Sequence, residues 1–100
     1  MELADLQRTI RETYGEQDRD RGVHATFAWF VEEVGELSRA LFREGEAEQR
    51  HEFADVLAWL VTLADLSGID MADAAERYRN GCPKCGQRPC VCRRGATSSG

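Results

Sequence analysis

Residues 52–64 read EFADVLAWLVTLA, from Glu52 to Ala64. After Glu52 the stretch is apolar except for Thr62 and one charge, Asp55, and it contains no base. Its apolar positions recur at spacings of three and four, which predicts a helix packed along one face. A carboxylate carried into a helical interior is costly unless it is paired, hydrogen-bonded or bound to a cation. The stretch therefore sets both the fold class and the functional question, which is what Asp55 meets.

Working outward, four helical segments are expected, and no stretch alternates with the period of two that a half-buried strand requires. The first spans Glu2 to Tyr14, with Leu3, Leu6, Ile10 and Tyr14 on one face, and Gly15 opens a polar connection, EQDRDRG. The second runs from Thr26, as N-cap, to Arg43, ahead of Gly45. The third covers Ala47 to Leu66 and stops at Ser67-Gly68; Asp70 caps a fourth, Met71 to Arg79, which Gly81 and Pro83 end. The expected architecture is an all-α four-helix bundle over residues 1–80, a cysteine-rich appendix over 81–94, and a disordered tail over 95–100, GATSSG.

Charge follows the same division. Residues 1–80 carry 18 acidic side chains against 9 arginines, a net −9, while Lys84, Arg88, Arg93 and Arg94 leave residues 81–100 at +4. An acidic body argues against a nucleic-acid partner and suits a protein that gathers divalent cations. No apolar run is long enough for a bilayer, and the opening MELADLQRTIRE is too polar for a signal peptide, so a cytoplasmic protein without a membrane partner is expected. A chain of 100 residues has a modest core, for which oligomerisation or a structural metal is natural support.

On a helical wheel the second segment carries a principal apolar stripe, Phe27, Phe30, Val34, Leu37 and Leu41, opposite Ala28, Glu32, Gly35 and Arg39. Between them runs a mixed stripe of Trp29, Glu33, Glu36 and Ala40. The third segment aligns Glu52, Asp55, Trp59, Thr62 and Leu66. If the two pack antiparallel, as their short connection favours, the acid pairs face each other with no base nearby. Crowded carboxylates repel, and hard cations such as Mg²⁺ or Mn²⁺ relieve the repulsion. Asp55 is accordingly expected to be a metal ligand. Glu32, Glu44, Glu46 and Glu48 read as solvated charges, and His24 and His51 as surface residues.

These residues form a known pattern: EVGE at Glu33–Glu36, fifteen residues, then EFAD at Glu52–Asp55, set within TFAWFVEEVGELSRAL and EFADVLAWLVTLADLSGIDMADAAERY. The chain resembles the MazG-like all-α nucleoside triphosphate pyrophosphohydrolases over about residues 1–80. The resemblance implies Mg²⁺-dependent cleavage of a nucleotide between its α and β phosphates, giving a monophosphate and pyrophosphate, in the removal of non-standard or surplus nucleotides. It also implies Mg²⁺ held by Glu33, Glu36, Glu52 and Asp55, with Glu33 or Glu36 as the group that takes a proton from water, and assembly as a homodimer or homotetramer. Where the family carries a phosphate-contacting Lys and Asn, this chain offers Arg77, Arg79 and Asn80. Phe27, Trp29 and Trp59 are available to stack on a base.

The appendix, CPKCGQRPCVC, holds all four cysteines, Cys82, Cys85, Cys90 and Cys92. Clustering of this kind favours a metal over a disulfide framework, and four thiolates suit structural Zn²⁺; a redox pair at Cys82 and Cys85 is the alternative. Three other functions are compatible with parts of the pattern. One is phosphoribosyl-ATP pyrophosphohydrolysis, a second is a non-enzymatic adaptor displaying a zinc knuckle, and a third is a di-iron bundle. The last is disfavoured because Glu48-x-x-His51 supplies only one of the two Glu-x-x-His motifs required.

Overall fold

Glu2 and Asp5 begin the first helix, Asp5 Oδ2 accepting the Glu2 amide at 3.1 Å and so satisfying one of the donors a helix start leaves open. In the computed structural model, which describes residues 1–93, this helix does not stop at Gly15. It runs as α1 from Leu3 to Arg43 and is broken only at Gly22, whose φ of 87° and ψ of 167° lie outside the helical region. The other α-helices among the described residues are α2, Glu46–Leu66, and the short α3, Met71–Ala75, followed by a 3₁₀ turn at Glu76–Tyr78. No strand occurs among them. The regular structure of the described residues is all helical, but it is not four separate helices: the first two expected helices are one bent element, and the last is five residues plus a 3₁₀ turn. The tail expected to be disordered, 95–100, lies outside the described residues.

The bend has a local cause. Thr26, fully buried, is not an N-cap; its hydroxyl donates to the Gly22 carbonyl at 2.6 Å and accepts from Arg21 Nε at 2.9 Å. Arg21 also pairs with the buried Asp18. The polar stretch is thus helical, and its inward positions, Gly15 and Asp18, are small or ion-paired rather than apolar.

Past the bend, α1 and α2 run antiparallel, joined through Glu44 and Gly45. Gln49 Nε2 donates to the carbonyls of Ala40 and Glu44 at 3.2 and 3.0 Å, closing the end of α1. The end of α2 is a Schellman turn: Ile69 N donates to Ala64 O at 2.8 Å and Gly68 N to Asp65 O at 3.1 Å, with Gly68 at φ 74°. Asp70 then caps α3 as expected, accepting from Ala72 N at 2.9 Å.

The buried seam between α1 and α2 contains Ile10, Ala40 and Val61 together with Gln7, Asp18, Thr26 and Thr62. Gln7 fastens its far end, donating to Asp65 at 3.0 Å and to the Ile69 carbonyl at 2.9 Å while accepting from the Met71 amide at 2.8 Å. Arg11 adds an ion pair to Asp65 at 2.7 Å. The expected core stripe is not buried in the single chain: Phe27 is 54% exposed, Val34 42% and Leu41 45%. It is the mixed stripe, Trp29, Glu33 and Ala40, that reaches α2, because α1 lies against α2 along that side.

Candidate active site

The antiparallel seam brings the second half of α1 over the first half of α2 at one turn. Trp29 stacks on Trp59 with ring centroids 6.3 Å apart and planes 16° from parallel. One turn further, Glu33 faces Glu52 and Asp55, and a carboxylate oxygen from each lies within 4.8 Å of the others. Glu52 and Asp55 are three apart on α2, so both emerge from the same turn. Glu33 is half-buried, and its carboxyl is raised above the ordinary range by burial first, then by Asp55, Glu52, Glu36 and Glu32. Oε1 of Glu52 is buried with no hydrogen-bond partner. A buried acceptor with nothing to accept from, inside a ring of like charge, fits a site that takes a cation.

Glu36 stands apart from this trio. Its carboxylate pairs with Arg39 at 3.0 Å and is 44% exposed, although its charge still bears on Glu33. Asp55 has a further neighbour in His51, whose Nε2 lies 3.3 Å from Oδ2. His51 is exposed, as expected of a surface residue, but it touches the site; its i, i+4 spacing to Asp55 was the available signal.

Beside the acids opens a pocket of about 370 Å³ lined by Tyr14, Gln17, Arg21, Asp55, Trp59 and Thr62, with Ile10 and Ala58 behind. Its size suits a small ligand. Arg21 stands over the Trp59 ring, 4.9 Å from the centroid, a cation–π contact. Tyr14, Gln17 and Arg21 were not foreseen as pocket residues, since the stretch carrying two of them reads as a polar connection. The i, i+3 spacing of Asp18 and Arg21 was the signal that it is helical. Phe27 packs on Phe30, centroids 6.2 Å apart, outside this pocket.

The remaining predicted residues lie elsewhere. Arg77 sits 5.7 Å over the Tyr78 ring, Arg79 is ion-paired with Glu76, and Asn80 is exposed in the turn that follows. All three come after the end of α2, and about 16 Å of helix separates Asp55 from that end at 1.5 Å per residue. The four cysteines are free thiols gathered within 4.8 Å of one another. Backbone amides of Cys85 and Lys84 draw the Cys82 thiol down to about 6, whereas Cys92, hydrogen-bonded to the Cys90 and Cys82 sulfurs, is pushed up to about 12.

Two antiparallel helices that bring three carboxylates together beside a ligand-sized pocket form an arrangement compatible with a bound metal ion. Comparison with known families gives the class: the model of the MazG nucleotide pyrophosphohydrolase domain matches residues 21–88. The chain belongs to that family. No curated protein matches it. The matched span begins at Arg21, takes in all four motif acids and both tryptophans, and ends between Cys85 and Cys90.

Proposed function

We propose that the chain is a Mg²⁺-dependent nucleotide pyrophosphohydrolase that cleaves a (d)NTP between its α and β phosphates, releasing (d)NMP and pyrophosphate, in cytoplasmic nucleotide-pool house-cleaning. The observation that carries this reading is the meeting of Glu33, Glu52 and Asp55 around an unpartnered, buried Glu52 oxygen. The donors are anionic oxygens, which suit Mg²⁺ or Mn²⁺ and not a softer ion. Those three residues would hold it, and Glu36, one turn from Glu33, would join them only by leaving its ion pair with Arg39. When bound, such an ion supplies positive charge against phosphate oxygens and a more acidic water.

The protein's own groups take the other roles. One of the α1 glutamates accepts the proton of the attacking water, Glu33 first and Glu36 the second candidate. The base enters the 370 Å³ pocket, where Tyr14 offers an exposed ring and Gln17 and Arg21 offer hydrogen bonds. Trp59 and Arg21 line the pocket, Arg21 standing over the Trp59 ring, while Trp29 stacks on Trp59 without lining the pocket itself. Arg77, Arg79 and Asn80 follow the end of α2 opposite to the one that carries the acids, and in this reading they take a phosphate role across a subunit boundary. A homodimer or homotetramer belongs to this reading, as do a catalytic unit at residues 1–80 and an appendix at 81–94.

The test is pyrophosphate release by the full-length protein over canonical and modified nucleotides and phosphoribosyl-ATP, with Mg²⁺. Glu52→Gln and Asp55→Asn should each lower turnover by about 100-fold or more while leaving the helical circular dichroism unchanged. Undiminished turnover in both variants overturns the proposal.

A further inference from the structure

The cysteine appendix lies outside the catalytic argument, and the matched family span cuts it in half, ending at residue 88. The segment from Gly81 to Arg93 has almost no apolar material of its own; Val91 is 67% exposed. A stretch with so little to bury has no hydrophobic reason to hold a shape. Yet it is folded back on itself: Cys82 N donates to Gln87 O at 3.0 Å and Gly86 N to Cys82 O at 2.6 Å. The turn brings Cys82 and Cys85 against Cys90 and Cys92.

The sulfur positions identify what holds it. A zinc–thiolate bond of about 2.3 Å sets the edge of a regular tetrahedron at about 3.8 Å. Cys82 and Cys92 sulfurs are 3.8 Å apart, and Cys85 and Cys90 sulfurs 3.9 Å, two opposite edges of such a figure. All four sulfurs fall within 4.8 Å of one another. These separations are nearly twice a disulfide bond, and they are tight enough for one ion, whereas a cluster would spread its cysteines over separate irons. Backbone amides point at sulfur, among them Lys84 N to Cys82 at 3.4 Å, Val91 N to Cys85 at 3.4 Å, and Cys92 N to Cys90 at 3.3 Å. Amides in that position offset negative charge on thiolates. Four thiolates with a zinc dication leave about −2, which Lys84, Arg88, Arg93 and Arg94 outweigh with no acid in the segment.

We propose that Cys82, Cys85, Cys90 and Cys92 ligate one tetrahedral Zn²⁺, a closed structural site separate from the acid cluster. Sulfur ligands choose zinc and carboxylate oxygens choose magnesium, so the two sites do not compete for their ions. Four protein ligands leave no open position, so the ion shapes the appendix and takes no substrate. The proposal stands on the sulfur geometry alone and does not depend on what reaction the acids perform.

The experiment is metal analysis of the full-length protein, purified under reducing conditions without added metal, together with its Co²⁺-substituted form. One zinc per chain is expected, retained on dialysis, with Co²⁺ giving the visible absorption of a tetrathiolate site. Cys85→Ser and Cys90→Ser should lose both, and the double variant Glu52→Gln/Asp55→Asn should keep both. The proposal is overturned by absence of zinc, by iron in its place, by a Co²⁺ spectrum of oxygen ligation, or by loss of zinc in the acid double variant. Zinc is counted without turnover, so this result and that of the pyrophosphate assay are read independently.

Discussion

At the scale of single residues, the question posed by Asp55 is answered by company: it shares a turn with Glu52 and faces Glu33 across the helix seam. Crowded like charges oppose ionisation, and Glu33 is where this is felt: burial first, then four neighbouring acids, raise its carboxyl above the ordinary range. Glu33→Gln removes a charge from the trio while keeping its shape. The variant is expected to melt at a higher temperature than the parent in the absence of divalent ions, to lose the stabilisation that Mg²⁺ gives the parent, and to lose about 10²–10⁴-fold in turnover. Thermal melts with and without Mg²⁺ check this, and a variant that melts lower in both conditions would show that Glu33 is held by structure and not strained by charge. Asp65 is the opposite case. Arg11 and Gln7 hydrogen-bond its carboxylate and hold it below its ordinary 3.8. A depressed carboxyl contributes stability above its unfolded value, and that contribution is lost as pH falls through the lower folded value. The gap in melting temperature between the parent and Asp65→Asn should therefore be full at about pH 6 and narrow steadily below pH 3.8. A gap independent of pH would place the effect elsewhere.

At the scale of elements, the bend at Gly22 decides where the pocket lies, because it lets one helix offer Tyr14, Gln17 and Arg21 from its first half and Glu33 from its second. The backbone there is in a region open essentially to glycine, although a Cβ would meet nothing within 4 Å. Gly22→Ala is therefore a test of torsion alone, and it is expected to cost about 1–3 kcal/mol. Gly35→Ala, in regular helix with equally open space, should be neutral or add about 0.4–1 kcal/mol. Urea unfolding of the two variants gives the comparison, and equal effects would mean that Gly22 is not under conformational demand. The same element explains what sequence could and could not disclose. The α2 stripe was legible because Glu52, Asp55, Trp59, Thr62 and Leu66 repeat at helical spacing and all turn inward, and the Asp70 cap and Ser67-Gly68 stop follow from local chemistry. The continuity of α1 was not legible, because its inward residues past Ile10 are Gly15, Asp18 and Thr26, a helical period written without hydrophobic letters. Glu, Gln and Arg in EQDRDRG are good helix formers, but charge obscured them. The acid trio followed from spacing; the pocket did not, since its polar wall depended on that hidden helix.

At the scale of the molecule, two long helices and one short one do not enclose what the sequence marks as interior. The radius of gyration is 16.0 Å, against about 13 Å for a compact chain of 100 residues. Phe27, Val31 and Val34 on α1 and Phe53, Leu57 and Leu60 on α2 are each at least 40% exposed, and both sets repeat at i, i+4 and i+7. A stripe with that period is what a helix presents to a packing partner, and exposed apolar surface on this scale marks an interface more often than a solvent face. In the proposed oligomer a second copy of the chain would cover both stripes, bundle packing completing the core that one chain begins. If so, charge at the centre of each stripe should separate the subunits without unseating Ile10, Ala40 and Val61, which are buried within one chain. Burial of one Phe is worth about 1.5–3 kcal/mol, so each of Phe27→Glu and Phe53→Glu should weaken self-association by roughly tenfold or more. Sedimentation velocity across a concentration series reads this directly, with circular dichroism reporting whether the helices persist. A parent that sediments as a monomer at all concentrations would remove the second copy from the account and leave these stripes needing a different cover.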